Sequence, residues 1–223
     1  FCASLADWLD DVVPIEWLAD LLTLIHATPN LDYLLLTKRP ENWEKRIHLA
    51  AQLDHALLGV KLLHWRTGQA PPNVWLGVSV ENQETADERI PLLLQIPAAV
   101  RFVSYEPALG PVNFRAWTLA EHGRRHIGAQ PGLSWLICGG ESGPKARPSH
   151  PDWFRSARDQ CQAAGVAFLF KQWGEWAPTP TRTSPMDHVF SNSIRVHRVG
   201  KRAAGRLLDG REWNEVPGGE ACP

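Results

Sequence analysis

Val74-Trp75-Leu76-Gly77-Val78-Ser79-Val80-Glu81-Asn82 reads as one strand handing over to one helix. Val74–Val80 is short and apolar and does not alternate in polarity, as in a parallel strand covered on both faces. Asn82 is a good cap for a helix through Arg89, which Pro91 is expected to kink or end.

The same pattern recurs outward from this stretch. Similar runs are Phe1–Ser4, Tyr33–Thr37, Val100–Ser104, Trp135–Cys138 and Val166–Phe170. Helical patterns lie between them. Ile15, Leu18, Leu22 and Ile25 follow Pro14, placed at a first helical position. Phe154, Ala157, Cys161 and Ala164 lie between Pro151 and Gly165, a start and a stop signal, with His150 as a further cap candidate.

Strand starts fall roughly 30 residues apart, the length of a strand–helix–strand unit. No G-x-G-x-x-G follows the first run and no switch point interrupts the series. The expected class is α/β: a partial (β/α) barrel of the TIM type, about six parallel strands, over residues 1–176. Ala56–Pro72 and Ala108–Leu133 read as insertions. Residues 177–223 read as a C-terminal extension, basic from Arg195 to Arg211, with a hairpin turning at Asp209-Gly210 and packing on the barrel.

Composition narrows the class. With 44% hydrophobic and 21% charged residues, the 223-residue chain can bury a core and is not globally disordered. A net charge of −1 gives no whole-chain attraction to nucleic acid, although a local basic patch is compatible with it. No apolar run approaches the roughly 20 residues of a membrane span. Cys2, Cys138, Cys161 and Cys222 have neither zinc nor CxxC spacing and read as reduced thiols of a cytoplasmic protein. The nine histidines show no metal-binding spacing.

In a parallel barrel the site is built where the strands end. Those ends carry Lys38, Ser79, Glu81, Ser104, Glu106, Gly139-Gly140-Glu141-Ser142-Gly143 and Lys171. Lys38, Glu81, Glu106 and Lys171 are candidate catalytic groups, a mixed set suited to an anionic ligand with acid and base partners. Ser79, Ser104 and Gly139–Gly143 are candidate ligand-binding groups. The glycine-rich stretch frees backbone N–H groups for an anion, or serves as a tight turn. Trp173 and Trp176, just after the last strand, are expected to pack or to stack on a base or cofactor ring.

Leu36-Thr37-Lys38-Arg39-Pro40, Val74–Asn82, Arg101–Pro107, Gly139–Gly143, Phe170-Lys171-Gln172-Trp173-Gly174 and Val199-Gly200-Lys201 through Leu208-Asp209-Gly210-Arg211, in this order, resemble a phage- and prophage-associated family of unknown function. Its members begin with a three-cysteine motif and are similar to radical S-adenosylmethionine enzymes. The resemblance implies a [4Fe–4S] cluster on those cysteines and S-adenosylmethionine at the strand ends, cleaved there to a radical. It also implies a nucleotide or nucleic-acid substrate, or a partner protein encoded nearby. The motif is missing from this chain, which is expected to be N-terminally incomplete and unable to assemble the cluster alone. Two other readings stay open: a non-redox barrel enzyme holding a phosphorylated ligand at Gly139–Gly143, and a non-catalytic partner-binding protein.

Overall fold

The computed structural model describes residues 6–53, 56–118, 132–179 and 186–218. Five parallel strands form one sheet in chain order: β1 (Tyr33–Thr37), β2 (Val74–Ser79), β3 (Val100–Tyr105), β4 (Trp135–Gly139) and β5 (Ala167–Gln172). The expected strand Phe1–Ser4 lies outside the described residues. The helices are α1 (Ile15–Ala27), α2 (Trp43–Gln52), α3 (Ala56–Arg66), α4 (Gln83–Gln95) and α5 (Pro151–Ala164).

Local signals explain most of the boundaries. Asn82 caps α4 by accepting from the Thr85 backbone N–H, and the Thr85 hydroxyl answers the Asn82 N–H. His150 Nδ1 accepts from the Asp152 N–H at 3.1 Å, Pro151 opens α5, and Gly165 closes it at φ 66°. Three expectations are corrected. Pro91 does not end its helix, which runs on to Gln95 because Ile90 and Leu93 on either side of it are buried in the core. Ala56–Pro72 is no insertion, because Leu58, Leu62 and Trp65 of α3 are buried and make it part of the core. Pro14 stands one position earlier than expected, at the cap of α1.

The helices share one core with one face of the sheet. Leu35, Leu76, Val78, Val103, Cys138, Phe168 and Phe170 point into it with Leu18, Leu22, Ile47, Ile90 and Phe154. Each such large side chain contributes about 1.5–3 kcal/mol. The opposite face is thinner. Phe102, Trp135 and Ile137 are buried there, while Leu34, Leu36, Trp75, Ala167 and Leu169 are half-buried around them. Gly77 makes room for Phe102, whose ring would lie 2.3 Å from a Cβ at that position.

Among the described residues the sheet has five parallel strands and is not closed, so the expected α/β class with a parallel sheet is present and a closed TIM-type barrel is not. The outer edge of β5 is occupied by the C-terminal segment. Phe170 donates its N–H to the Trp213 carbonyl (3.0 Å), Glu215 donates to the Phe168 carbonyl (3.2 Å), and Leu169 bridges antiparallel to Asn214. A smaller antiparallel sheet, order β6 (Trp176–Ala177), β8 (Arg195–Arg198), β7 (Asp187–Val189), follows the last parallel strand. The short α6 (Lys201–Ala204) comes next. Leu208 and Arg211 then bridge across a two-residue turn with both φ positive, Asp209 at 53° and Gly210 at 83°.

Candidate functional site at the carboxyl ends of the strands

Strand side chains alternate between faces, so residues two apart share one. Lys38 follows β1, Glu81 follows β2, Glu106 follows β3 and Lys171 lies near the end of β5, all in phase with the thin face. Ser79 and Ser104 are register partners one layer lower and are buried.

Two ion pairs result. Lys38 Nζ donates to Glu81 Oε1 at 2.7 Å, and Lys171 Nζ to Glu106 Oε2 at 3.2 Å. The carboxylates are sunk, with side chains 14% and 16% exposed, while the lysines are 56% and 55% exposed. The negative charge is therefore fixed and the positive charge can swing. Arg89, on α4, holds the other Glu81 oxygen at 3.1 Å and also donates to the Ser79 carbonyl. It stands seven residues after the Asn82 cap, on the helix face turned back to the strand end, and nothing in the local sequence marks it.

The Ser104 hydroxyl donates to Glu106 Oε2 at 3.3 Å. The same carboxylate lies over Gly139, where a Cβ would meet Glu106 Oε1 at 2.3 Å. On the other flank Asp7 accepts from the Thr37 hydroxyl and the Lys38 N–H, both at 2.7 Å, and so fixes the end of β1.

The glycine-rich loop serves backbone packing. Gly140 donates its N–H to the Gln172 carbonyl, and Trp173 O would sit 1.8 Å from a Cβ at Gly140. Gly143, at φ 106°, donates its N–H to the Glu175 carboxylate. Ser142 Oγ accepts from the Gln172 side-chain amide. Glu141 is clasped by Arg147 through the guanidinium and the backbone N–H. The Arg147 hydrogen bonds draw the Glu141 carboxyl below its ordinary range. The Arg147 guanidinium is held above its own by the Glu141 hydrogen bond and also by the charges of Glu141 and Glu81, so this pair lies within the field of Glu81.

Trp173 does not face the site. Its ring packs edge-on to Phe154 and Phe170, and its Nε1 donates to the Leu207 carbonyl. Trp176 is likewise buried, with Nε1 on the Ala146 carbonyl. Both are packing residues, as the first of the two readings has it, and neither ring is free to stack on a ligand.

Cys138 and Cys161 are free and buried on the helical side of the sheet. Burial pushes both thiols up, that of Cys161 to about 12. A buried neutral thiol is a poor iron ligand, because the thiolate is the binding form. Among the described residues no group of three His, Cys, Asp or Glu side chains is arranged to hold a metal ion. Cys2 and Cys222 lie outside the described residues. The described cysteines therefore do not fit a cluster. Among the described residues no helix is long and apolar enough to cross a membrane.

An open parallel sheet packed against helices, with polar groups gathered at the carboxyl ends of its strands, makes this a mixed α/β protein. The model of one family, described as a protein of unknown function (DUF5131), matches residues 1–217, and the chain belongs to that family. No curated protein and no solved structure matches the chain.

Proposed function

We propose that the thin face of the sheet is one side of a partial barrel that binds S-adenosylmethionine at its strand ends, in a radical-type enzyme of phage or prophage origin. The single observation that carries this reading is the charge order across the edge: Lys38, Glu81, Glu106, Lys171, with the carboxylates sunk and the ammonium groups exposed. An α-amino acid group with a neighbouring sulfonium presents two cationic centres and one carboxylate. Glu81 and Glu106 suit the cationic centres, and either lysine suits the carboxylate. The buried hydroxyls of Ser79 and Ser104 suit polar groups of a sugar.

When bound, S-adenosylmethionine supplies an activated carbon–sulfur bond. The chain's own residues orient it. Arg89 holds the Glu81 carboxylate in place, and Gly139 leaves the Glu106 carboxylate the space it occupies. No step through an iron–sulfur cluster is derived, because the described thiols do not fit one. In this reading any cluster ligands come from outside the described residues.

The phosphorylated-ligand alternative is weakened by the glycine-rich loop, where two N–H groups are already spent on Gln172 and Glu175 and two carboxylates border it. The test is equilibrium dialysis of the chain against labelled S-adenosylmethionine, with inorganic phosphate and S-adenosylhomocysteine as competitors. Saturable binding that Glu106→Gln weakens at least tenfold supports the proposal. Competition by phosphate alone refutes it in favour of the phosphorylated-ligand reading, and no binding refutes it in favour of the partner-binding reading.

A further inference from the structure

We propose that the basic segment from Arg195 to Arg211, together with Lys145, is a docking surface for the phosphate backbone of a nucleic-acid strand, placed beside the strand-end site. The proposal does not depend on S-adenosylmethionine binding.

The chain as a whole is nearly neutral, with 23 basic and 24 acidic residues. Between Arg195 and Arg211, however, there are six basic residues (Arg195, Arg198, Lys201, Arg202, Arg206 and Arg211) and one acidic residue, Asp209. Three of the negative partners nearby are spent. Asp209 holds Arg155 and Arg158 of α5. Asp187 holds Arg195, and Glu212 lies 3.6 Å from Arg206. The remaining cations have no carboxylate within ion-pair distance among the described residues. Arg198 donates to the carbonyls of Gly143 and Pro144, and Arg211 lies over the Trp213 ring at 3.8 Å; these partners are all neutral. Among the described residues Lys145, Lys201 and Arg202 make no ion pair, and all three are exposed.

Backbone hydrogen bonds hold this charge against the end of β5. Val199 and Gly200 donate to the Glu175 carbonyl, and Trp173 donates to the Gly205 carbonyl. The turn of α6, with Lys201 and Arg202, is thus strapped between residues that directly follow the rim lysine Lys171. Arg198 reaches back to Pro144, the neighbour of Lys145. These bonds hold the backbones of Arg198, Lys201, Arg202 and the Pro144 neighbour Lys145 in one region of the fold.

The chemistry favours a phosphate backbone over an acidic protein. Five of the six residues are arginine, whose fork matches phosphate in two hydrogen bonds. Protein partners are anchored by exposed aromatic residues. Here Trp173, Trp176 and Trp213 are all buried, and Leu207 is the one large exposed apolar side chain between Arg195 and Arg211. Met186, Val189 and Ile194 beside the segment are exposed but aliphatic, so the surface offers charge without exposed aromatic anchors among the described residues, as backbone binding requires.

The test is fluorescence anisotropy of a labelled single-stranded oligonucleotide with the whole chain, at salt concentrations from about 50 to 200 mM. The arms use single-stranded DNA, single-stranded RNA, duplex DNA and polyglutamate as competitor. The expected result is salt-dependent binding that the double variant Lys201→Ala/Arg202→Ala weakens about tenfold, with the salt slope shallower by about 1.4, or ~0.7 per lost phosphate contact. Lys45→Ala, a basic residue of α2 paired with Asp11, leaves binding unchanged. Absence of binding at the lowest salt, an unaltered slope in the double variant, or polyglutamate competing as well as the oligonucleotide overturns the proposal.

Discussion

Glu106 occupies the space that a side chain at Gly139 would need, its Oε1 atom 2.3 Å from where that Cβ would stand. The glycine on β4 is thus part of how the carboxylate on the neighbouring strand end is aimed. Gly139→Ala is expected to fold with a loss of about 1 kcal/mol, since a Glu side chain can rotate away. Its ligand binding falls at least tenfold. Gly140→Ala meets the Trp173 backbone carbonyl at 1.8 Å, which cannot rotate away, and is expected to lose about 3 kcal/mol. Urea denaturation of both variants, with ligand dialysis of the first, checks the contrast.

Glu81 has two cationic partners of different standing. Lys38 is mostly exposed, so Lys38→Ala changes stability by about 0–1 kcal/mol. Glu81→Ala leaves Arg89, 15% exposed, without its carboxylate and is expected to cost about 2 kcal/mol or more. Denaturation midpoints of the two variants should differ in that order. Equal losses would mean that Arg89 is satisfied by the Ser79 carbonyl alone.

The Cys161 thiol makes stability depend on alkaline pH. Burial raises it from 9.0 to about 12, so the folded state favours the protonated thiol. Its contribution is complete below the unfolded value and is lost as pH rises from about 9 towards 12. At about pH 10.5 the loss relative to pH 8 is about 2 kcal/mol. Cys161→Ala should flatten this part of the pH profile, measured by urea midpoints at the two pH values. Alkylation at pH 8 followed by peptide mass spectrometry should find Cys161 and Cys138 unlabelled until denaturant is added.

The parts of the fold that the sequence revealed are those with local causes. Val74–Val80 and its counterparts carry their strand character in their own residues, and Asn82, Pro151 and Gly165 mark helix ends by capping chemistry alone. Helix α3 escaped because its apolar residues ring it: Leu58, Leu62 and Trp65 are buried while Val60 and Leu63 are exposed, so no single stripe stands out. The passage of α4 through Pro91 depended on burial from elsewhere in the chain. The shared face of Lys38, Glu81, Glu106 and Lys171 follows from period-two alternation beyond parallel strands. Arg89 came from a helix, and Trp173 turned inward to Phe154 and Phe170, and only tertiary packing decides either.

The C-terminal segment on the outer edge of β5 gives the sheet a direction. With Trp213 and Glu215 hydrogen-bonded there in antiparallel sense, β5 has no free ladder to offer a further strand. Among the described residues the open ladder is the far side of β1. Any strand that lengthens this sheet, from the same chain or another, must join beside Tyr33–Thr37. Removing Trp213–Glu215 would make growth possible from both sides and turn a protected margin into a template for aggregation.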